Sequence, residues 1–307
     1  MSYIETERTK AVKNRNTIFC DPGGGDFMKA TRDFVLQDPV KNLWCGIRED
    51  ALDYFNQNNI SWWKSDKEGP TGHLLSSQVA CINHLFFIRQ RKDCADAMLR
   101  AIHPDIVSAE VVDNGYVEFE KCGSKPLGLE KGTQRGANST SIDAFMLARM
   151  KDGTKTAVLI EWKYTESYNS IDLMNSSAGT PRLPIYKDLL TRRDSPISTK
   201  THSDLFYKPY YQLMRQTLLG FEMVNNREYG VSDWMHLHII PSGNTALLNK
   251  VTSPALKKSY ATLEDSWKAQ LKEPKKYQII SPDHFLKPAL DLVDTKSINT
   301  FLKSRYW

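Results

Sequence analysis

Cysteine is scarce: five in 307 residues, at positions 20, 45, 81, 94 and 122. The count is odd and no pair is spaced C-x-x-C, which argues against a zinc ribbon and fits reduced thiols better than a disulfide framework. Long apolar runs are missing too. Stretches such as 157–160 fall far short of the roughly 20 residues that cross a bilayer, so no membrane span is expected. The opening MSYIETERTKAVKNR is polar, without the apolar stretch of a signal peptide, and a cytoplasmic protein is expected. There is no internal repeat and no low-complexity tract. A large excess of one charge is also absent, since 41 Lys+Arg stand against 36 Asp+Glu, a net of +5. With 40% apolar and 25% charged residues, the bulk of the chain should be neither disordered nor a coiled coil. The length allows two domains or one large embellished one.

What charge excess there is sits at one end. Residues 248–307 carry 11 Lys/Arg against 6 Asp/Glu, and the rest of the chain balances at 30 against 30. A basic segment suits nucleic-acid contact; a solvated Lys-rich helical surface has the same composition.

Residues 1–71 read as an N-terminal arm, flexible up to about residue 30, followed by a helical region at 45–59. A strong helix should start at Ser76 or Ser77, either of which could cap it. Val79, Ile82, Leu85 and Phe86 then share a face, and the pattern runs to about residue 101. Strand character follows at 109–122, broken at Asn114-Gly115, then at 139–150 and 155–164. Asp152-Gly153 between the last two is a hairpin signal. Residues 165–206 form a long polar insertion, 207–224 return to helix, and 234–240 are a short strand. The C-terminal segment should add a helix at 254–272, a strand at 277–280 and one or two further helices. The order is helix, three strands, helix, strand: a core at 72–245 with a basic extension at 246–307 packed on it.

Glu161-Trp162-Lys163 closes an apolar strand, and alternation puts Glu161 and Lys163 on one face. Unpaired, such charges would be costly at the end of a buried strand. Asp143 lies on the preceding strand, and register decides whether it joins them. A two-residue loop at Asp152-Gly153 sets Asp143 against Trp162. A three-residue loop, with Gly153 supplying a left-handed residue, sets Asp143 against Glu161. Two carboxylates on adjacent strands make a hard oxygen site suited to Mg²⁺, with Mn²⁺ as a substitute. Such an ion can activate water and neutralise charge on a phosphodiester, while Lys163 can stabilise the transition state. The plainer alternative is a salt bridge at a sheet edge.

Asp143, followed after 17 residues by Glu161-Trp162-Lys163, resembles the PD-(D/E)XK nuclease superfamily, and the element order resembles its αβββαβ core. The chain is also similar to a bacterial group of restriction endonucleases in that superfamily. The matching stretches are Gly72-His73-Leu74-Leu75-Ser76-Ser77-Gln78, Arg135-Gly136-Ala137-Asn138, Thr140-Ser141-Ile142-Asp143-Ala144 and Glu161-Trp162-Lys163-Tyr164-Thr165-Glu166. The resemblance implies an α/β restriction-endonuclease-like fold, a mixed central sheet flanked by helices. It implies Mg²⁺-dependent hydrolysis of DNA, in restriction or phage defence. Repair or structure-specific cleavage is the alternative, and an inactive DNA-binding protein of the same fold a third. The metal would sit on Asp143, Glu161 and the backbone carbonyl of Trp162, with Lys163 as the catalytic lysine. Ile142 stands where the motif's proline would be. A double-strand cutter would favour a homodimer.

Gln78, on the first core helix, and Gln212, on the later one with Gln216 on the same face, are candidates to support the carboxylates. The segment 181–215 interleaves Arg182, Lys187, Arg192, Arg193, Lys200, Lys208 and Arg215 with aromatic residues. Arg192, Arg193 and Arg215 are the expected DNA contacts; a solvated loop is the ordinary meaning of such a run. His236 and His238 share a strand face, which more often means packing than zinc.

Overall fold

The computed structural model describes residues 1–65, 69–132 and 139–307. The quoted stretch 135–138 lies outside them. The chain opens with α1 (Tyr3–Ile18) and a two-stranded ribbon of β1 (Gly25–Phe27) and β2 (Ala30–Arg32). Next come α2 (Arg48–Gln57), α3 (Ser77–Leu85) and α4 (Lys92–Ile102). The sheet region holds β3 (Ile106–Glu110), β4 (Glu118–Cys122), β5 (Ser141–Met150) and β6 (Lys155–Trp162). After α5 (Leu183–Thr191) and α6 (Tyr210–Asn225) comes β7 (Asp233–Ile239). The C-terminal segment adds α7 (Thr245–Leu248), α8 (Leu263–Lys268), β8 (Tyr277–Ile280), α9 (Pro282–Leu290) and α10 (Lys296–Arg305).

Three expectations are corrected. The N-terminal arm is a 16-residue helix. It has no apolar stripe to announce it, but good helix formers fill it. Glu5 closes its first turn by accepting from the Ser2 amide. It is then held by Asn14 donating to the Ser304 carbonyl and by Arg8 over the Phe34 ring. The long helix expected from Ser76 is two, α3 and α4, separated at 89–91. Ser76 does cap the first, accepting from the Val79 amide at 3.3 Å. The break lets Arg89 turn inward, where it donates to the carbonyls of Val117 and Asp113. The helix expected at 254–272 is reduced to α8 and a single 3₁₀ turn at Leu256–Lys258.

The central sheet has six strands in the order β3-β5-β6-β7-β8, with β4 also paired to β5. β3 and β4 lie end to end along one edge of β5, as a single strand interrupted at 111–117. The β3–β6 portion is antiparallel; β7 and β8 run parallel to β6. With β3 and β4 counted as one interrupted strand, the order from α3 onward is a helix pair, three strands, a helix pair and a strand. The β5–β6 hairpin uses the three-residue loop. Ala144 faces Ile160 and Arg149 faces Lys155, the Met150 amide donates to Thr154 across the loop, and Gly153 sits at φ +83°.

One sheet face buries Ala144, Met146, Val158, Ile160 and Trp162 against α2–α4 and α9–α10. On the other, Phe145, Leu147, Ala157 and Leu159 pack on Leu219 and Met223 of α6. Burial on both faces explains why β6 reads as a continuous apolar run. Residues 165–206 contain α5, whose Tyr186, Leu189 and Leu190 join Phe206, Tyr210 and Trp267 in a second core. The basic C-terminal segment supplies both β8 and part of the main core, through Phe285, Leu286, Ala289 and Leu302.

Candidate active site

The register sets a row of charge across the sheet. Phe119 faces Ala144 and Lys121 faces Ile142, so Glu120 falls against Asp143. Asp143 in turn falls against Glu161, one step beyond the Ala144–Ile160 pair. Glu161 is paired with His238 of β7. Three carboxylates therefore stand on three adjacent strands, β4, β5 and β6.

Glu161 is 1% exposed. One carboxylate oxygen accepts from Lys163 Nζ and from Gln212 Nε2 at 2.7 Å; the other accepts from Gln216 Nε2. Gln212 also takes a hydrogen bond from Lys163 at 3.0 Å. Gln212 and Gln216, one turn apart on α6, thus clamp the carboxylate from above the sheet. Gln216 ties the clamp to the β5 backbone through the Ser141 carbonyl at 3.3 Å.

Asp143 is half-buried and accepts from the Trp162 amide at 2.7 Å, which extends the β5–β6 pairing by a side chain. Burial pushes its carboxyl well above the ordinary range, and the neighbouring Glu161 and Glu120 charges push it further, against the pull of Lys163. Burial is the largest influence on Lys163 and opposes its charge, yet Glu161 together with Tyr168, Glu166 and Asp143 outweighs it, and the amine is raised well above its usual value. The buried Cys81 thiol on α3 is raised by burial and then by Asp143, Glu120 and Glu161. All three carboxylates are therefore felt at one point on α3.

Glu120 is the residue that sequence reasoning missed. Its backbone is left-handed, φ +52°, a conformation that costs a non-glycine residue about 1–2 kcal/mol. Its carboxylate accepts from Gln78 at 3.1 Å and from Ser141 at 3.3 Å. Gln78 also accepts from the Trp63 amide and donates to the Ser61 carbonyl, so it reaches the site through Glu120. The β5–β6 register follows from one short loop. The β4–β5 register spans residues 123–140, a connection too long for hairpin geometry to predict.

Two of the three expected DNA contacts, Arg192 and Arg215, are already paired with carboxylates. Arg192 is held by Asp194 and Glu222 and stacks on Phe221, toward the far end of α6 from Gln212. Arg193 is exposed. Arg215 is half-buried, bonded to Thr140, the Ser139 carbonyl and Glu130. His236 and His238 are buried and held neutral: burial pushes His236 down to about 3 and His238 well below its usual value. His238 shares a hydrogen bond with the Tyr277 hydroxyl at 2.9 Å.

A family described as "Restriction Endonuclease associating with ARP" matches residues 8–307. The chain belongs to this family. The match spans both the sheet with its row of carboxylates and the C-terminal β8, so the restriction-endonuclease-like assignment applies to nearly the whole chain. The chain matches no curated protein and no solved structure at a significant level. Among the described residues, no helix is long and apolar enough to cross a membrane. None of their His, Cys, Asp and Glu side chains form a group of three or more positioned to hold a metal ion. A site on this sheet would therefore rest on two carboxylates completed by backbone and water. That suits Mg²⁺, which keeps several waters and takes one or two carboxylates. Burial and then the neighbouring Glu161 and Glu120 lift the Asp143 carboxyl, and the charge part of that is the kind a divalent cation would relieve.

Proposed function

We propose that the protein is a Mg²⁺-dependent DNA endonuclease of the PD-(D/E)XK type acting in restriction or phage defence. The observation that carries the reading is the cross-strand register, which sets Asp143 against Glu161 beside the charged Lys163. In this reading Asp143, Glu161 and the Trp162 carbonyl hold the cation, and Mn²⁺ could substitute. When bound, the ion would supply charge neutralisation on the scissile phosphate and a more acidic water. Gln212 and Gln216 fix the Glu161 carboxylate so that its oxygens keep their direction. Lys163, held by Glu161 and Gln212, places a positive charge beside the phosphate and can orient the attacking water. Gln78 restrains the Glu120 carboxyl group beside Asp143.

The experiment is incubation of the purified protein with plasmid and phage DNA in Mg²⁺ or in EDTA, alongside Asp143→Asn. Nicking or linearisation that needs Mg²⁺ and is lost in the variant is the expected result. A folded wild-type protein that leaves every substrate intact, or a variant that cuts at the wild-type rate, would overturn the reading. One active site cuts one strand, so linearisation without accumulated nicks would further imply a two-fold dimer.

A further inference from the structure

Six of the seven tryptophans are buried or half-buried. Trp63 is the other, 43% exposed, and it borders the candidate active site. Its amide donates to Gln78 Oε1 at 2.7 Å, and Gln78 Nε2 donates to Glu120 at 3.1 Å. Two hydrogen bonds thus fasten it to the row of carboxylates, at the end opposite Glu161.

The ring is supported by its neighbours. His73 meets it edge-on at 5.9 Å and Phe27 tilts against it at 5.8 Å, centroid to centroid, and Phe27 lies 4.6 Å from His73. His73 is fixed in turn, its Nδ1 accepting from the Leu75 amide at 3.2 Å. Burial, with Arg8 nearby, holds it neutral, its pKa down to about 4. A tryptophan braced by two rings and still open to solvent is a preformed stacking surface.

Phe27 belongs to the β1–β2 ribbon, where it pairs with Ala30 across the tip Met28-Lys29. Both tip residues are left-handed, φ +51° and +63°, as a two-residue type I′ turn requires. Asn-Gly suits that turn; Met and Lys are strained in it. Met28 is 71% exposed, so packing does little to offset the strain. Lone exposed apolar side chains are ordinary, but here Met28 and Trp63 are joined through Phe27 beside a charged site. Lys29, Arg32 and Lys64 are exposed around them, and none meets a carboxylate among the described residues. The exposed carboxylates of the ribbon are Asp33 and Asp26, the latter accepting from Thr31 at 2.8 Å.

We propose that Trp63 stacks on a DNA base that has left the helical stack near the scissile phosphate, with Lys29, Arg32 and Lys64 on the flanking phosphates. The proposal rests on the nuclease reading of the carboxylate row and adds to it the kind of DNA the site takes. Aromatic platforms set among cations hold unpaired bases in this way. Within a duplex both faces of a base are covered by its neighbours, so the ring selects a bulged, frayed or single-stranded nucleotide. A second copy of the chain packed on the same patch would bring the three cations against themselves. A nucleotide offers a π face and a negative charge together, which is what this surface complements.

The test is a fluorescence titration of the full chain, in EDTA, with a fully paired duplex and with the same duplex carrying one bulged 2-aminopurine. Wild type, Trp63→Leu and the double variant Met28→Asn/Lys29→Gly are compared. Leu keeps an apolar cover over Phe27 and His73, leaves the amide's bond to Gln78 and removes the stacking ring. Wild type should bind the bulged duplex roughly tenfold tighter than the paired one, the scale of one base–aromatic stack, and quench the 2-aminopurine. Trp63→Leu should lose both the preference and the quenching. The turn variant should melt no lower than wild type, since Asn-Gly relieves the tip, yet its slope of log affinity against log salt should fall by about 0.9 for one lost phosphate contact. A merely structural tip would lower the melting temperature and leave the slope alone. Equal affinity of wild type for the two duplexes, or a preference that survives in Trp63→Leu, would overturn the proposal. So would a wild-type dimer, seen by sedimentation, that Trp63→Leu dissolves, since the ring would then belong to a second copy. The titration needs neither metal nor cleavage. Mg²⁺-dependent cutting without a bulge preference removes this proposal alone, and a bulge preference without cutting removes the nuclease reading alone.

Discussion

Replacing Lys163 by Met tests whether the ion pair behind the candidate site is as buried as its geometry says. The Lys163 and Glu161 side chains are 7% and 1% exposed. Met keeps most of the stem and deletes the ammonium, so Glu161 keeps its charge with only the Gln212 and Gln216 amides as donors. Breaking a buried pair by removing one partner costs about 3–5 kcal/mol, because the other charge is stranded. The two amides remain, which argues for the low end, about 3 kcal/mol. At about 1.5–2 °C per kcal/mol for a chain of this size, the melting temperature should fall by roughly 5–6 °C. The double variant Glu161→Gln/Lys163→Met removes both charges and should regain most of that loss. The coupling energy should be about 2–3 kcal/mol, at the upper end for contacting residues. Melting is followed at pH 7 in EDTA by calorimetry and checked by urea titration at constant slope. A Lys163→Met protein that melts within about 1 °C of wild type, with a double variant no more stable, would refute the buried pair. It would leave Glu161-x-Lys163 as a solvated sheet-edge contact.

Two further outcomes follow from the same geometry. The Asp143 carboxyl is raised above its ordinary value of 3.8, so the folded chain holds a proton that the unfolded chain has lost. In EDTA this term should lower wild-type stability as the pH rises from about 4 toward that raised value. Asp143→Asn should lack this slope and melt at or above wild type at pH 7. Added Mg²⁺ should raise the wild-type midpoint and leave the variant's unchanged; equal shifts in both would place the ion elsewhere. In the basic segment, Arg192 is committed to Asp194 and Glu222, which leaves exposed Arg193 to meet phosphate. Arg193→Ala should lower the slope of log affinity for duplex DNA against log salt by about 0.9, and Arg192→Ala by much less. An unchanged slope for Arg193→Ala would move the DNA-binding surface to the C-terminal lysines.

The sequence by itself determined the local pieces. Ser76 before a helical face, Asp152-Gly153 between two apolar runs, and the four residues at 277–280 each carry their own signal in side-chain period and turn chemistry. The hairpin arithmetic reduced the placement of Asp143 to two registers, because the short connection between its strand and the next admits a two- or a three-residue loop. The choice between them belonged to the folded backbone. The left-handed Gly153 closes the three-residue loop, and both faces of β5 and β6 are buried, so a one-residue slip would exchange every side chain between two differently packed cores. Tertiary structure alone decided the rest. Glu120 reaches Asp143 across a long connection with no hairpin rule, at a backbone angle no propensity predicts. The polar α1 is a helix because α10 and Tyr164 give its side chains partners. Arg192 and Arg215 read as free positive charges, yet besides the neighbouring Asp194 they meet carboxylates 30 and 85 residues away along the chain. Such pairings depend on where α5 and α6 pack, and that is set by the burial of Tyr186, Leu213 and Leu218 in a second core, not by any local pattern.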